Sequence, residues 1–167
     1  PEVMMRVLTC AVVFLMVAPT VTLPQSNTTT AWAEVDAVLT ALHRAASQAD
    51  GERYFGLFAD DAVFMGTDES ERWSVAEFKA FAEPYFSKGR GWTYEMTERH
   101  ISFSADGNTA WFDEMLHNSN YGTCRGSGVL IQTPDGWRIV QYNLSFPIPN
   151  HLAREITALI RETPAAE

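Results

Sequence analysis

Asp113 lies in the stretch Thr109 to His117, where Trp111, Asp113, Met115 and His117 alternate with Ala110, Phe112, Glu114 and Leu116. A strand sends successive side chains to opposite faces. If the first set faces inward, Asp113 is a carboxylate beside Trp111 in an apolar cavity, and burial would raise its pKa toward that of a general base. Two other readings stay open. Asp113 pairs with Arg125 or Arg138 as a structural ion pair, or the register is reversed and Glu114 takes its place, since a one-residue slip exchanges the faces. Arg125 itself is suited to a carboxylate ligand or to fixing Asp113.

A second constellation runs along Trp137 to Phe146. Strict alternation puts Ile139, Gln141, Asn143 and Ser145 on one face and Arg138, Val140, Tyr142, Leu144 and Phe146 on the other. Three polar side chains in register read either as the inner wall of a ligand cavity or as the solvent face of an antiparallel sheet. His100 and His117 lack metal-ligand spacing, and His43 and His151 read as helical surface residues. No metal site and no cofactor is expected from this pattern.

The elements that must position these residues follow from periodicity. Val35, Val38, Leu39, Leu42 and Ala46 form one helical stripe that ends near Asp50-Gly51. A short helix carrying Tyr54, Phe55, Leu57 and Phe58 follows, broken by Asp60-Asp61, and then Ala62 to Met65 reads as a strand. Ser74 and Glu77 have the spacing of a capping box, opening a helix that buries Phe78, Phe81 and Tyr85-Phe86. From Trp92 onward the pattern is β. One long strand or bent pair runs to Ser104 and ends at Ala105 to Asn108. Further strands cover Thr109 to His117, Tyr121 to Thr133 and Trp137 to Phe146. Thr133-Pro134-Asp135-Gly136 is the last turn, and His151 to Glu162 has room for a closing helix. The glycines around Arg125 let the sheet bend and precede no helix that would cradle phosphate. Helices first and meandering strands afterwards predict an α+β domain.

Composition narrows the function class. The chain has 167 residues, 46 % of them hydrophobic, enough for one core. A formal net charge of −9, with no cluster of Lys and Arg, excludes a basic nucleic-acid-binding surface. Arg6 followed by the apolar run Val7 to Ala18 and Pro19 has the layout of a signal peptide or an uncleaved signal anchor over residues 1–23. That predicts an exported protein, periplasmic or secreted, with any membrane attachment confined to this segment. Residues 24–31 read as a polar linker, 32–162 as the domain and 163–167 as a tail. Of two cysteines, Cys10 falls in the leader, leaving Cys124 without a disulfide partner and reading as a packed thiol.

The order of elements resembles the nuclear transport factor two-like cone fold. Four segments are similar to its SnoaL-like branch: Tyr54 to Gly66, Glu71 to Ser74, Asp106 to Glu114, and Gly136 to Ser145. The resemblance implies a bent antiparallel sheet wrapped around three N-terminal helices with a short C-terminal helix, enclosing one deep pocket. It implies isomerases, dehydratases, cyclases, hydroxylases or ligand carriers, many of them homodimers through the outer sheet face. Fold does not fix function within such a family. Many look-alikes carry histidine where this chain has Asn143, which cannot titrate, so the most natural base is missing.

On that frame Tyr54, Phe58, Phe64, Trp73 and Phe78 line the helix side of the cone, or are plain core, with Trp73 placed to cover the mouth. Trp111, Arg125, Gln141, Asn143 and Ser145 complete the expected binding set. The leading expectation is a pocket for a small, largely apolar molecule. The alternatives are an isomerase or lyase, in which Asp113 abstracts a proton alpha to a carbonyl while Tyr54 or Tyr142 donates to the oxyanion, and a dimerising module without ligand.

Overall fold

The computed structural model describes residues 25–163, with side chains from residue 29 onward. The leader expected over residues 1–23 lies outside the described residues. Helix α1 (Gln25–Ser47) starts inside the segment expected as a linker. Its apolar stripe is the one the spacing predicts, with Val35, Leu39, Leu42, Ala45 and Ala46 buried. Asp50 caps α2 (Gly51–Phe55) by accepting from the Arg53 amide. This helix is shorter than expected, because Phe58 already belongs to strand β1 (Phe58–Met65). Asp60 and Asp61 lie within β1, exposed, where its pairing is irregular between Phe58 and Val63.

Strand β2 (Arg72–Ser74) leads into α3 (Val75–Phe86), which begins with the expected capping box between Ser74 and Glu77. Of the residues expected inside, Phe78 and Phe86 are buried with Ala82, whereas Phe81 and Tyr85 are exposed. Strands β3 (Glu95–Phe103), β4 (Thr109–Asn118), β5 (Gly122–Thr133) and β6 (Gly136–Ser145) form an antiparallel meander. Strand β1 joins the far side of β6 in parallel, giving the order β2-β1-β6-β5-β4-β3. Helices α1 to α3 pack on one face of this bent sheet, so the α+β cone is present. Helix α4 (Ala153–Glu162) follows and buries no residue.

Two irregularities decide which side chains enter the core. On β4 the apolar set Ala110, Phe112 and Leu116 faces inward and carries Glu114 with it. Trp111, Asp113 and His117 therefore point outward, the reverse of the facing that made Asp113 a base. On β6 the register with β5 shifts between Val129↔Gln141 and Leu130↔Ile139, leaving Val140 as an extra residue. That bulge breaks strict alternation: Trp137 and Ile139 face inward before it, and Tyr142 and Leu144 after it. Gln141, Asn143 and Ser145 are thereby turned to the outer face.

Candidate functional site

A polar cluster sits where α1 crosses the inner face of β3 and β4. Asp36, Thr40 and His43 recur at i, i+4 and i+7 on α1, beside its apolar stripe. Arg99 on β3 pairs across the ladder with Glu114 on β4. Glu114 is fully buried, and three side chains converge on it. His43 Nε2 lies 2.7 Å from Oε1, and the Tyr142 hydroxyl donates to the same oxygen at 2.9 Å. Arg99 grips the other oxygen, with Nε at 2.8 Å and Nη2 at 2.7 Å from Oε2. Nη1 of Arg99 then donates to Asp36 Oδ1 at 2.7 Å and to Thr40 Oγ1 at 3.1 Å.

The electrostatics follow from this geometry. Burial pushes the Glu114 carboxyl up, but the hydrogen bond and charge of His43, together with Arg99, outweigh burial and hold it below its ordinary value. An ionised carboxylate only accepts, so His43 presents Nε2–H to it, and in the neutral ring the lone pair resides on Nδ1. Nδ1 makes no hydrogen bond among the described residues. No buried polar side-chain atom there lacks a partner, so Nδ1 keeps access to the outside. Burial, then the Glu114 charge and the bond donated to it, raise the Tyr142 phenol far above its usual range. The Tyr54 phenol is raised too, chiefly by burial, and burial pushes Tyr94 up to about 12.

Beside this cluster is a cavity with about 20 Å³ of water-accessible space. Its walls are Tyr54, Phe64, Trp92, Tyr94, Tyr142 and His43, backed by Leu42, Ala46 and Leu144. Phe64 and Tyr142 are parallel to within 4° at 5.6 Å, while Tyr54 meets Trp92 at 89° and 5.9 Å. Trp92 and Tyr94, half-buried, come from the irregular segment between α3 and β3 and form the rim.

Of the residues expected at the site, Tyr54, Phe64 and Tyr142 line the cavity. Phe58 and Phe78 pack behind Tyr54 at 5.6 and 6.0 Å. Trp73 does not cover the mouth; it stacks on Phe78 at 5.4 Å and on Phe81 at 4.8 Å. Asp113, Trp111, Arg125, Gln141, Asn143 and Ser145 belong to the outer face and take no part. The alternative ion pair is also missing, since among the described residues no salt bridge joins Asp113 to Arg125 or Arg138. Tyr142 is at the site but its hydroxyl is committed to Glu114, so it does not serve as a free oxyanion donor. His43 and Arg99 are the functional candidates that sequence reasoning missed.

A bent sheet wrapped around helices in this order is the fold of the nuclear transport factor two-like proteins. More narrowly, the chain belongs to the SnoaL-like family, whose domain model matches residues 35–149. A nuclear transport factor two-like protein of unknown function from Pseudomonas putida shares the fold with a TM-score of 0.62 and 15 % identity, covering 73 % of this chain and 90 % of that one. A candidate dehydratase from the nuclear transport factor two-like family of Streptomyces avermitilis gives 0.60 and 19 %, covering 73 % and 99 %. A cystatin-like fold protein from Burkholderia xenovorans gives 0.61 and 19 %, covering 74 % and 97 %. At these identities the likeness establishes the fold alone. No curated protein matches the chain.

Proposed function

We propose that the chain binds a small, largely apolar molecule in the cavity between the aromatic walls and the His43–Glu114 pair. The observation that carries this reading is the placement of a fully buried carboxylate, held by His43, Tyr142 and Arg99, beside an apolar cavity. Replacing such ion clusters by packed apolar side chains is often neutral or stabilising, so packing alone does not call for one here. Aromatic walls with a few convergent polar groups are the make-up of a ligand site. Ligand-observed NMR against a panel of small alicyclic and aromatic alcohols, ketones and amines tests it. Binding that is lost in Tyr54→Leu and in His43→Ala supports the reading; a panel with no cavity-dependent binder sinks it.

One observation favours a second reading, an isomerase or lyase. With Nε2 pinned to Glu114, His43 is an oriented base whose Nδ1 is accessible. It would take a proton alpha to a carbonyl, with Glu114 stabilising the imidazolium, and return it at another carbon or pass it on as a leaving group departs. Exchange of alpha protons in deuterated water, lost in His43→Gln, is the assay.

Two further parts belong to the proposal. Trp111, 49 % exposed on the outer sheet face, supports pairing of two copies through that face, which sedimentation velocity tests. Export rests on the apolar run Val7 to Ala18 alone, and cell fractionation of the full chain tests it.

A further inference from the structure

Resting on that binding reading, we infer that the cavity takes only the hydroxyl end of its ligand. An aromatic ring, joined to that end by a short arm, rests outside on a ledge formed by Tyr121 and Phe146. The ligand class is an arylalkanol.

Size is the first ground. The cavity offers about 20 Å³ to water, and holding one water takes roughly 10–15 Å³ of such space. A single oxygen fits there and a ring does not. The ring of the ligand therefore needs a surface that is continuous with the cavity and lies outside it.

Strand β6 supplies that continuity. Past the bulge, Tyr142 and Leu144 face inward and line the cavity, and the next position on the same face is Phe146. Ser145 pairs with Arg125 on β5, so Phe146 comes beside Cys124, the neighbouring inward position there. The Phe146 ring meets that of Tyr121 at 5.1 Å with 40° between their planes. The rim residue Tyr94 has its phenol raised by burial first and then by Cys124, Tyr121 and Glu71, which therefore stand close to the rim. Phe64 and Tyr142 are buried, whereas Phe146 is 40 % and Tyr121 62 % exposed. Such a half-open aromatic surface at a cavity mouth is where a ligand ring gains both burial and stacking.

The polar groups inside fix the end of the ligand. The Tyr142 hydroxyl is committed to Glu114, which leaves the Tyr54 and Tyr94 hydroxyls and the Nδ1 lone pair of neutral His43. A hydroxyl donates one hydrogen bond and accepts others, so it can donate to Nδ1 and accept from a phenol. A ketone oxygen has nothing to donate to Nδ1. The arm follows from the strand. Successive positions on one face lie about 7 Å apart, a step that an arm of roughly three carbon atoms spans at about 1.5 Å per bond.

The test titrates the intact chain with 3-phenylpropan-1-ol and with its isomer 1-phenylpropan-1-ol, which has the same atoms but carries the hydroxyl beside the ring. The Trp92 indole N–H is followed by NMR. The first alcohol is expected to bind at least about tenfold more tightly, the scale of a polar group left without its partner. Tyr121→Ser and Phe146→Ser, both at exposed positions, should weaken it severalfold without unfolding the chain. Equal binding of the two isomers overturns the inference, and so does binding of the first that both ledge variants leave unchanged. If that binding is still lost in Tyr54→Leu, the broader reading stands. Absence of any response to 3-phenylpropan-1-ol also overturns the inference, and the broader reading is then decided by its own panel.

Discussion

Gly126 sits directly across the β4–β5 ladder from Glu114, and its missing side chain is the space in which the Tyr142 hydroxyl reaches that carboxylate. A methyl group at this position would collide with the hydroxyl and lie 2.8 Å from Glu114 Oε1. Gly126→Ala is therefore expected to cost on the order of 1–3 kcal/mol, as overpacking does. Chemical denaturation measures the loss. The Tyr142 ring signals should shift in the same variant, whereas an unchanged stability would mean the two side chains have room to move.

Glu114 makes stability depend on pH with a definite sign. Its carboxyl titrates near 4.5 in the unfolded chain and lower in the folded one. Below 4.5 the unfolded state therefore binds more protons, so the stabilisation is present above that pH and is lost as pH falls through the folded value. Glu114→Gln should lose up to roughly 3–5 kcal/mol at neutral pH, because buried Arg99 loses its buried counter-charge and keeps only the partly exposed Asp36. It should also flatten the acid limb. Exposed carboxylates such as Asp68 and Asp106 shift in the same direction, so the comparison must be made between wild type and variant at each pH.

His43 and Asp113 should separate cleanly. Asp113 is exposed on the outer face, and Asp113→Asn is expected to change stability by less than about 0.5 kcal/mol and to leave ligand response intact. His43→Gln keeps a donor for Glu114 but loses the titratable ring, so proton exchange should vanish while the fold survives. Loss of exchange in Asp113→Asn would return the chemistry to the outer face.

Helix α4 should be dispensable to the core. It buries none of its residues, and Leu159 and Ile160 are 57 % and 64 % exposed. Truncation before Ala153 is expected to shift Tm by less than about 3 °C, the scale of 1 kcal/mol for a chain of this size. A larger drop, read by calorimetry, would show that the helix is held by contacts outside the single chain.

The fold was legible because its signals are periodic and local. The stripe on α1, the capping box of α3 and the turn at Thr133 to Gly136 each act within a few residues. The site was harder to read. Glu114 follows whichever face Ala110, Phe112 and Leu116 choose, and that choice is made by packing against α1. The bulge at Val140 has no signature in residue type, so alternation placed Gln141, Asn143 and Ser145 on the wrong side. Two signals were available all the same. Counting outward from the Asp106-Gly107 turn sets Arg99 opposite Glu114, and the polar row Asp36, Thr40 and His43 beside an apolar stripe needs a partner inside the fold.

The extra residue in β6 also sets how this chain tolerates changes in length. Deleting Val140 would remove the bulge and let Gln141 follow Ile139 in an unbroken ladder, with Tyr142 and Leu144 still facing inward. A residue inserted between Gln141 and Tyr142, by contrast, would turn Tyr142 and Leu144 outward and bring Asn143 inward. The strand therefore has a residue to spare at the bulge and none to gain beyond it.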